Sequence, residues 1–308
     1  MIITFIHSQK AFLPEVGAYI KLFESIGIKC KTAAPHEVIR ADTDVEWHFM
    51  GTDIRKAKEG RIKIHEYASG SIGRLGNFKD FSKKILNVKP DFRLFLNPYV
   101  NNRFKFKDNI PFGYRDMGVN ADWLTQANHS KTNCKFDFVY IGDLSPARQP
   151  ENLLNVFTKS PMKEKTLLII SSNYAHFQTA YFQFKNIVFK GPYNHSDIPS
   201  ILSEACYGIN YIIDEEPFNQ QTSTKFLEYA ACGLPIVSTK YKWIDEFRSK
   251  YGGNYYYLKP DLSNFAWDPI VNFTFSKPDL TNWMWEKQIK SSGIIQFLDS
   301  KMRITKNS

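Results

Sequence analysis

One stretch of this chain, Gln220-Gln221-Thr222-Ser223-Thr224-Lys225-Phe226-Leu227-Glu228-Tyr229, gathers the residue types that handle a phosphorylated ligand. Ser223 or Thr224 can cap a helix with a side-chain oxygen, leaving first-turn backbone N–H groups pointing outward. Such an end is positive because the peptide dipoles align, and it attracts anions. Lys225 and Glu228, three residues apart, share a face near it. The arrangement fits a nucleotide, with phosphate on the N–H groups and ribose hydroxyls on the carboxylate. Phe226, Leu227, Ala230 and Ala231 form an apolar stripe, Gly233 can end the helix in a left-handed conformation, and Pro235 blocks its continuation. An ordinary capped helix packed on a sheet is the other reading of this pattern.

Further candidates are scattered through the first half. Gly17 stands at the start of a helix, where a missing Cβ permits close backbone approach to a ligand. His65 ends a strand, the edge at which parallel sheets bind ligands, and its structural and functional readings stand level. His7 and Glu15 flank the first loop and are weaker candidates for acceptor binding. Glu66 alternates to the face opposite His65 and is not paired with it. Asp42-Thr43-Asp44 has the look of a metal-binding acid pair but precedes a strand, and it reads as a decoy. Asp214-Glu215-Glu216 reads as a solvated turn. No Gly-x-Ser-x-Gly elbow is present, and Gly70, Gly73 and Gly76 have the wrong spacing for a dinucleotide fingerprint, so serine-hydrolase and dehydrogenase readings fail.

The elements that must position these residues alternate between strand and helix. Strands are expected at 2–6, 28–32, 45–50, 61–67, 92–96 and 110–113, with helices at about 16–26 and 78–86. The pattern turns polar between Gly118 and Lys135. A second series then has strands at 136–141, 166–171, 187–190, 207–213, 236–239 and 255–258. Its helices are expected at 151–158, 197–206 (capped by Ser196) and 244–250, with one running from a cap at Ser223 or Thr224 to an end at Gly233 and a last helix over 282–298. Such alternation specifies parallel sheets and an α/β fold. The domains are placed at 1–120 and 121–282, with 283–308 as a helix returning towards the first.

The 308 residues suffice for two such domains, and 43% hydrophobic content excludes a disordered chain. A net charge of +9 calls for an anionic partner. The basic residues form only modest clusters, at 55–58, 103–107 and 240–242, and no nucleic-acid-binding signature accompanies them. Cys30, Cys134, Cys206 and Cys232 have no metal or redox spacing and read as four buried thiols of a reduced compartment. No signal segment or apolar run of membrane-spanning length is present, so a cytoplasmic location is expected. Three sequons, at Asn128, Asn194 and Asn272, read as chance.

Three segments, in order, resemble the two-domain GT-B glycosyltransferases of the family-4 type, which build bacterial polysaccharides and glycolipids. Phe138-Val139-Tyr140-Ile141-Gly142-Asp143 to Arg148 resembles the strand and turn whose basic residues grip the donor diphosphate. Asn186 to Tyr193, followed by Ser196-Asp197-Ile198-Pro199, resembles the turn that frames the nucleobase, here Pro192 and Tyr193. The stretch from Gln220 resembles the nucleotide-sugar signature, with Glu228 as its second acid. Tyr114-Arg115-Asp116-Met117-Gly118-Val119 is similar to the interdomain turn, and Trp283-Met284-Trp285-Glu286 to the start of the returning helix.

The resemblance implies two Rossmann-like, doubly wound parallel-sheet domains facing a cleft. It also implies a retaining, metal-independent transfer from a UDP- or GDP-linked sugar to a lipid-linked or polysaccharide acceptor; the basic surface, for its part, suggests loose attachment to an anionic membrane face. Arg148, His65 and Glu228 are its catalytic candidates. Gly17, Arg148, Pro192, Tyr193, Gln220, Gln221, Thr222, Ser223, Thr224, Lys225 and Glu228 are its donor-binding candidates. No cofactor or metal is expected. Two positions depart from the family: Gln220 replaces the first acid, and Asp143 replaces a basic residue and is expected to face away from the diphosphate. These departures keep a degenerate nucleotide-sugar-binding subunit in view, and a sugar-nucleotide epimerase or phosphorylase on the same fold is a second enzyme alternative.

Overall fold

Each half of the chain winds strands and helices alternately into a six-stranded sheet with every strand parallel. The computed structural model describes residues 1–8, 13–37, 42–49, 51–71, 76–125 and 134–306. Met50, Gly73 and residues 126–133 of the expected polar boundary, including the Asn128 sequon, lie outside the described residues. The chain divides into two units, Met1–Gly118 with Asn282–Ser308, and Val119–Thr281.

Unit 1 runs β1 (Ile2–Ile6), α1 (Pro14–Ser25), β2 (Lys29–Ala33), β3 (Val45–Phe49), β4 (Ile62–Tyr67), α2 (Gly76–Leu86), β5 (Phe92–Phe95), α3 (Pro98–Phe104) and β6 (Phe112–Tyr114). Its sheet order is β2-β1-β3-β4-β5-β6, so the winding reverses between β1 and β3. β1, β3, β4 and β5 are buried nearly throughout, as expected of strands covered on both faces. Ile3, Phe5, Trp47, Ile64 and Leu94 form the core with Tyr19 and Phe23 of α1.

Unit 2 runs α4 (Ala121–Thr125), β7 (Phe136–Ile141), α5 (Pro150–Val156), β8 (Leu167–Ile170), α6 (Ala175–Ala180), β9 (Ile187–Lys190), α7 (Ile198–Leu202), β10 (Ala205–Asn210), α8 (Thr224–Ala231), β11 (Ile236–Thr239), α9 (Lys242–Tyr251), β12 (Tyr256–Leu258) and α10 (Trp267–Val271). The order β12-β11-β10-β7-β8-β9 reverses between β7 and β10. Two helices, α11 (Trp285–Ser291) and α12 (Ile294–Lys306), then rejoin unit 1, where Ile289, Ile294 and Leu298 complete its core.

Three expectations are corrected. The last helix is two, because Ser292 ends α11 and Gly293 turns the chain at φ +77°. The helix over 197–206 is one short turn of α7 after a 3₁₀ segment, and Ser196 does not cap it; its hydroxyl donates to Asp197 instead, at 3.3 Å. Cys134 and Cys206, at the feet of the paired strands β7 and β10, form a disulfide with Cα atoms 5.5 Å apart, so two thiols remain rather than four.

Candidate functional site

Parallel winding places the carboxyl ends of all six unit 2 strands on one edge, and ligands of such sheets bind where the winding reverses. That point lies beyond β7 and β10. The turn after β7 carries Asp143 and Arg148, the segment after β10 leads into α8, and the turn after β9 carries Pro192 and Tyr193.

The β7 turn is held open by a side-chain brace. Asn173, just beyond β8, accepts from Leu144 N–H at 3.2 Å and donates Nδ2 to Asp143 Oδ1 at 2.9 Å, while the Ser171 hydroxyl donates to its Oδ1 at 2.6 Å. Gly142, at φ +156°, leaves room for Lys225 Cε, which would lie 3.2 Å from a Cβ there. Arg148 packs its guanidinium over the Phe218 ring at 4.8 Å, with Nε 3.6 Å from Asp143 Oδ2. The expectation that Asp143 faces away is corrected: it turns towards Arg148 and partly neutralises it.

α8 begins where the sequence places it. Ser223 caps it, accepting from Phe226 N–H at 3.4 Å, and donates its own hydroxyl to Asn210 Oδ1 at 2.7 Å. Asn210 Nδ2 in turn donates to Ser238 at 2.9 Å and Tyr241 at 3.1 Å. A fully buried polar chain thus fixes the start of the helix from below. Tyr229 packs against Gly208 and accepts from Ile141 N–H at 2.8 Å, locking α8 to the end of β7.

Lys225 and Glu228 are both nearly buried, at 8% and 7% exposure. Burial first, and then the Arg148 charge, pushes the Lys225 ammonium down to about 7, although Glu228 and Asp143 pull the other way. Two cations converge beside one helix N-terminus, a combination suited to an anion of more than one charge. Glu228 Oε1 lies 2.8 Å from His195 Nε2, and the His195 ring packs at a tilt of 36° against Trp123 of α4, with centroids 4.7 Å apart. Gln220 ends a 3₁₀ turn, and Gln221 Nε2 is buried with no hydrogen-bond partner among the described residues. Thr222 is buried at 9%, Thr224 opens α8, and Tyr193 is 41% exposed on the β9 turn. Gly191 before it, at φ +117°, lies so close to the Ser171 carbonyl that a Cβ would meet it at 2.8 Å.

His195, Trp123 and Asn173 are missing from the sequence reading. His195 follows the Gly191-Pro192-Tyr193 turn, and that adjacency was the available signal; its partner Glu228 is 33 residues away.

Unit 1 holds its candidates differently. His65 is fully buried, with Nε2 3.2 Å from Asp53 Oδ2, within a cluster that includes Glu46, His48 and Lys63. Burial drives its imidazole down to about 4, against the pull of Asp53. Burial would raise Asp53, but hydrogen bonds from His65 and Lys63 hold it well below the carboxylate range. His65 therefore turns into the protein rather than out beyond the strand ends. Glu15, expected near an acceptor, is 2% exposed and lies 3.4 Å from the buried Arg115, which also pairs with Glu66. Gly17 is exposed on α1, with no atom within 4 Å of an added Cβ. Asp44 accepts from Ile2 N–H at 2.7 Å, a strand brace rather than half of a metal pair. A cavity of about 750 Å³ opens at the β1/β3 reversal and is lined by His7, His36, His48, Asp53 and Arg55. Among the described residues, no three His, Cys, Asp or Glu side chains form a metal-binding group.

No protein-family model and no curated sequence matches the chain. Among solved structures, Anabaena HepE in complex with UDP-glucose superposes with a TM-score of 0.62 at 11% identity, covering 100% of both chains. AviGT4, a glycosyltransferase involved in avilamycin A biosynthesis, gives 0.60 at 11% identity, covering 100% of this chain and 99% of its own. The UDP-GlcNAc 2-epimerase of Methanocaldococcus jannaschii gives 0.54 at 10% identity, over 96% of this chain and 100% of its own. With its two parallel six-stranded sheets, the chain has the two-domain, Rossmann-like GT-B fold.

Proposed function

We propose that this protein is a glycosyltransferase that moves a sugar from a nucleotide-diphosphate donor, UDP- or GDP-linked, to a lipid-linked or polysaccharide acceptor. The observation that carries the reading is the convergence of Arg148 and Lys225 on the N-terminus of α8, with Glu228 one turn inside. Transfer leaves a diphosphate that gains negative charge as the glycosidic bond breaks, and stabilisation placed there acts on the transition state. Arg148, Lys225 and the first N–H groups of α8 take that role. Glu228, oriented by His195, accepts from the ribose hydroxyls, and the buried Gln221 amide donates to a donor oxygen. Tyr193 and Pro192 frame the base. HepE, on the same fold, is seen with UDP-glucose, which supports a uridine donor. On the family resemblance, the reaction is read as metal-independent, with the acceptor attacking from the leaving-group side with retention.

The epimerase on the same fold keeps a second reading in play. Donor turnover with and without acceptor separates the two: transfer or hydrolysis releases the nucleoside diphosphate, whereas epimerisation returns an isomeric nucleotide sugar. The proposed role of Arg148 requires Arg148→Ala to lower turnover on the order of 100-fold or more. Glu228→Ala weakens nucleotide-diphosphate binding about 10-fold, and EDTA leaves the rate unchanged. Wild-type rates in Arg148→Ala, or unaltered affinity in Glu228→Ala, would remove the assignment.

A further inference from the structure

Unit 1 has its own winding reversal, between β1 and β3, and the cavity of about 750 Å³ lies beyond it at the carboxyl ends of the strands. Open parallel sheets bind ligands at such a point, and the volume accommodates a sugar with a charged substituent. Four strand ends and one helix wall it: His7 follows β1, His36 follows β2, His48 and Arg55 belong to β3 and its loop, Ser69 follows β4, and Lys83 comes from α2.

The charge on these walls is one-sided. Arg55 donates one guanidinium N–H to the Pro35 carbonyl at 2.6 Å, and Lys83 Nζ donates to the Ser71 hydroxyl at 3.1 Å. Both acceptors are neutral, and among the described residues neither cation forms an ion pair with a carboxylate. Burial lowers the Lys83 ammonium from its ordinary value, and the attraction of Asp80 does not make up the loss. Asp53 is the one carboxylate on the described walls, and it is already neutralised: Lys63 Nζ donates to its Oδ2 at 2.6 Å, with His65 Nε2 at 3.2 Å. Glu46 of the same cluster is bonded by Arg61 at 2.9 Å.

The position of Arg55 is built by its neighbours. Asp53 N–H donates to Asn87 Oδ1 at 2.8 Å, Val88 N–H donates to the Asp53 carbonyl at 2.9 Å, and Arg55 N–H donates to Asp53 Oδ1 at 3.3 Å. With the bond to Pro35, these tie the loop after β3 both to the segment beyond α2 and to the end of β2.

We propose that this cavity binds a sugar phosphate by its phosphate monoester, with Arg55 and Lys83 as the charged partners and Ile6, Phe49 and Tyr67 walling the sugar ring. A phosphate monoester carries about −1.5 to −2 charge at pH 7 and three acceptor oxygens, which matches two uncompensated cations. The guanidinium fork takes two of those oxygens at once, and the ammonium serves as a point charge. A carboxylate brings one charge and leaves the second cation unmatched. Binding rests on unit 1 alone. That the bound sugar phosphate is the acceptor rests on the transferase reading above, and the acceptor is then phosphorylated on its own sugar.

Calorimetry on the full chain with inorganic phosphate, glucose 6-phosphate, glucuronate and glucose tests the site. Inorganic phosphate and glucose 6-phosphate should bind, the latter about 10-fold or more tighter than glucuronate or glucose. Arg55→Gln and, separately, Lys83→Gln should each weaken it about 10-fold or more, with UDP affinity and thermal unfolding as in the parent. Arg148→Ala should leave glucose 6-phosphate binding as it is, which separates this cavity from the phosphate-binding groups of unit 2. No binding of either phosphate, glucuronate binding as tightly as glucose 6-phosphate, or a loss in Arg148→Ala with none in the unit 1 variants overturns the proposal. A parent that binds glucose 6-phosphate but not UDP keeps the cavity's role and removes the donor reading, and one that binds UDP but neither phosphate does the reverse.

Discussion

Arg148 and Asp143 form a half-exposed pair, with Nε to Oδ2 at 3.6 Å, in the turn where a diphosphate is expected. An exposed pair of this kind stabilises the fold little, up to about 1 kcal/mol. Its consequence lies in binding, because an incoming phosphate has to compete with the carboxylate for the guanidinium. Asp143→Asn keeps the Asn173 brace within reach and removes the competing charge, so it should tighten UDP binding roughly two- to fivefold by calorimetry. Weaker binding would mean that the carboxylate orients Arg148 rather than competing with the ligand. At this scale the sequence revealed the chemistry of residues that lie close along the chain, such as Ser223 with Phe226 and Lys225 with Glu228. It did not reveal His195 with Glu228, Asn173 with Asp143 or Cys134 with Cys206, whose partners meet only through folding.

At the scale of elements, the strands were the most legible. Phe136–Ile141, Ile187–Lys190 and Ile236–Thr239 are apolar runs between turn residues, and the structure gives them those bounds. α3, α4 and α6, of five to seven residues, are too short to show an apolar stripe, and no helix was expected there. What anchors α8 is Gly208 of β10, since a Cβ there would meet the Tyr229 ring at 2.6 Å and Leu234 at 2.9 Å. Both neighbours are buried and cannot move aside, so Gly208→Ala should destabilise unit 2 by about 1–3 kcal/mol in urea unfolding. It should also weaken nucleotide binding, because Tyr229 holds the end of β7. Gly17→Ala, with open space around the new methyl, should instead gain about 0.5–1 kcal/mol. A Gly208→Ala protein as stable as its parent would show that α8 rides on its own cap rather than on this contact.

Across the whole molecule, both units gain stability as pH rises, but in different windows. In unit 1, His65 titrates at about 4 folded and near 6.5 unfolded, so the unfolded chain takes up its proton first as pH falls through that window. Glu46 adds to this: burial opposes its charge, but hydrogen bonds from His48 and Arg61 hold it at about 2 against 4.5 unfolded, and its stabilisation is lost below pH 4.5. In unit 2, Lys225 titrates at about 7 folded and near 10.5 unfolded, so its burial costs most below pH 7 and the cost is relieved as pH rises towards 10.5. Calorimetry should therefore show a transition that weakens from pH 6.5 down to 4 and a unit 2 contribution that strengthens above pH 7. Lys225→Met should flatten the alkaline limb, and an unchanged limb in that variant would place the titration elsewhere.

The return of α11 and α12 to unit 1 also bears on how the protein is made. Unit 1 is split in the chain, and its core lacks Ile289, Ile294 and Leu298 until the ribosome has passed all of unit 2. At roughly 5–20 residues per second, the stretch from residue 118 to residue 298 takes roughly 10–35 s to synthesise. During that interval unit 2 has everything it needs to close, whereas the older, N-terminal unit waits with part of its apolar interior uncovered. Emergence order and completion order are thus reversed, and the half-built β1–β6 sheet is the nascent segment whose apolar surface stays uncovered longest.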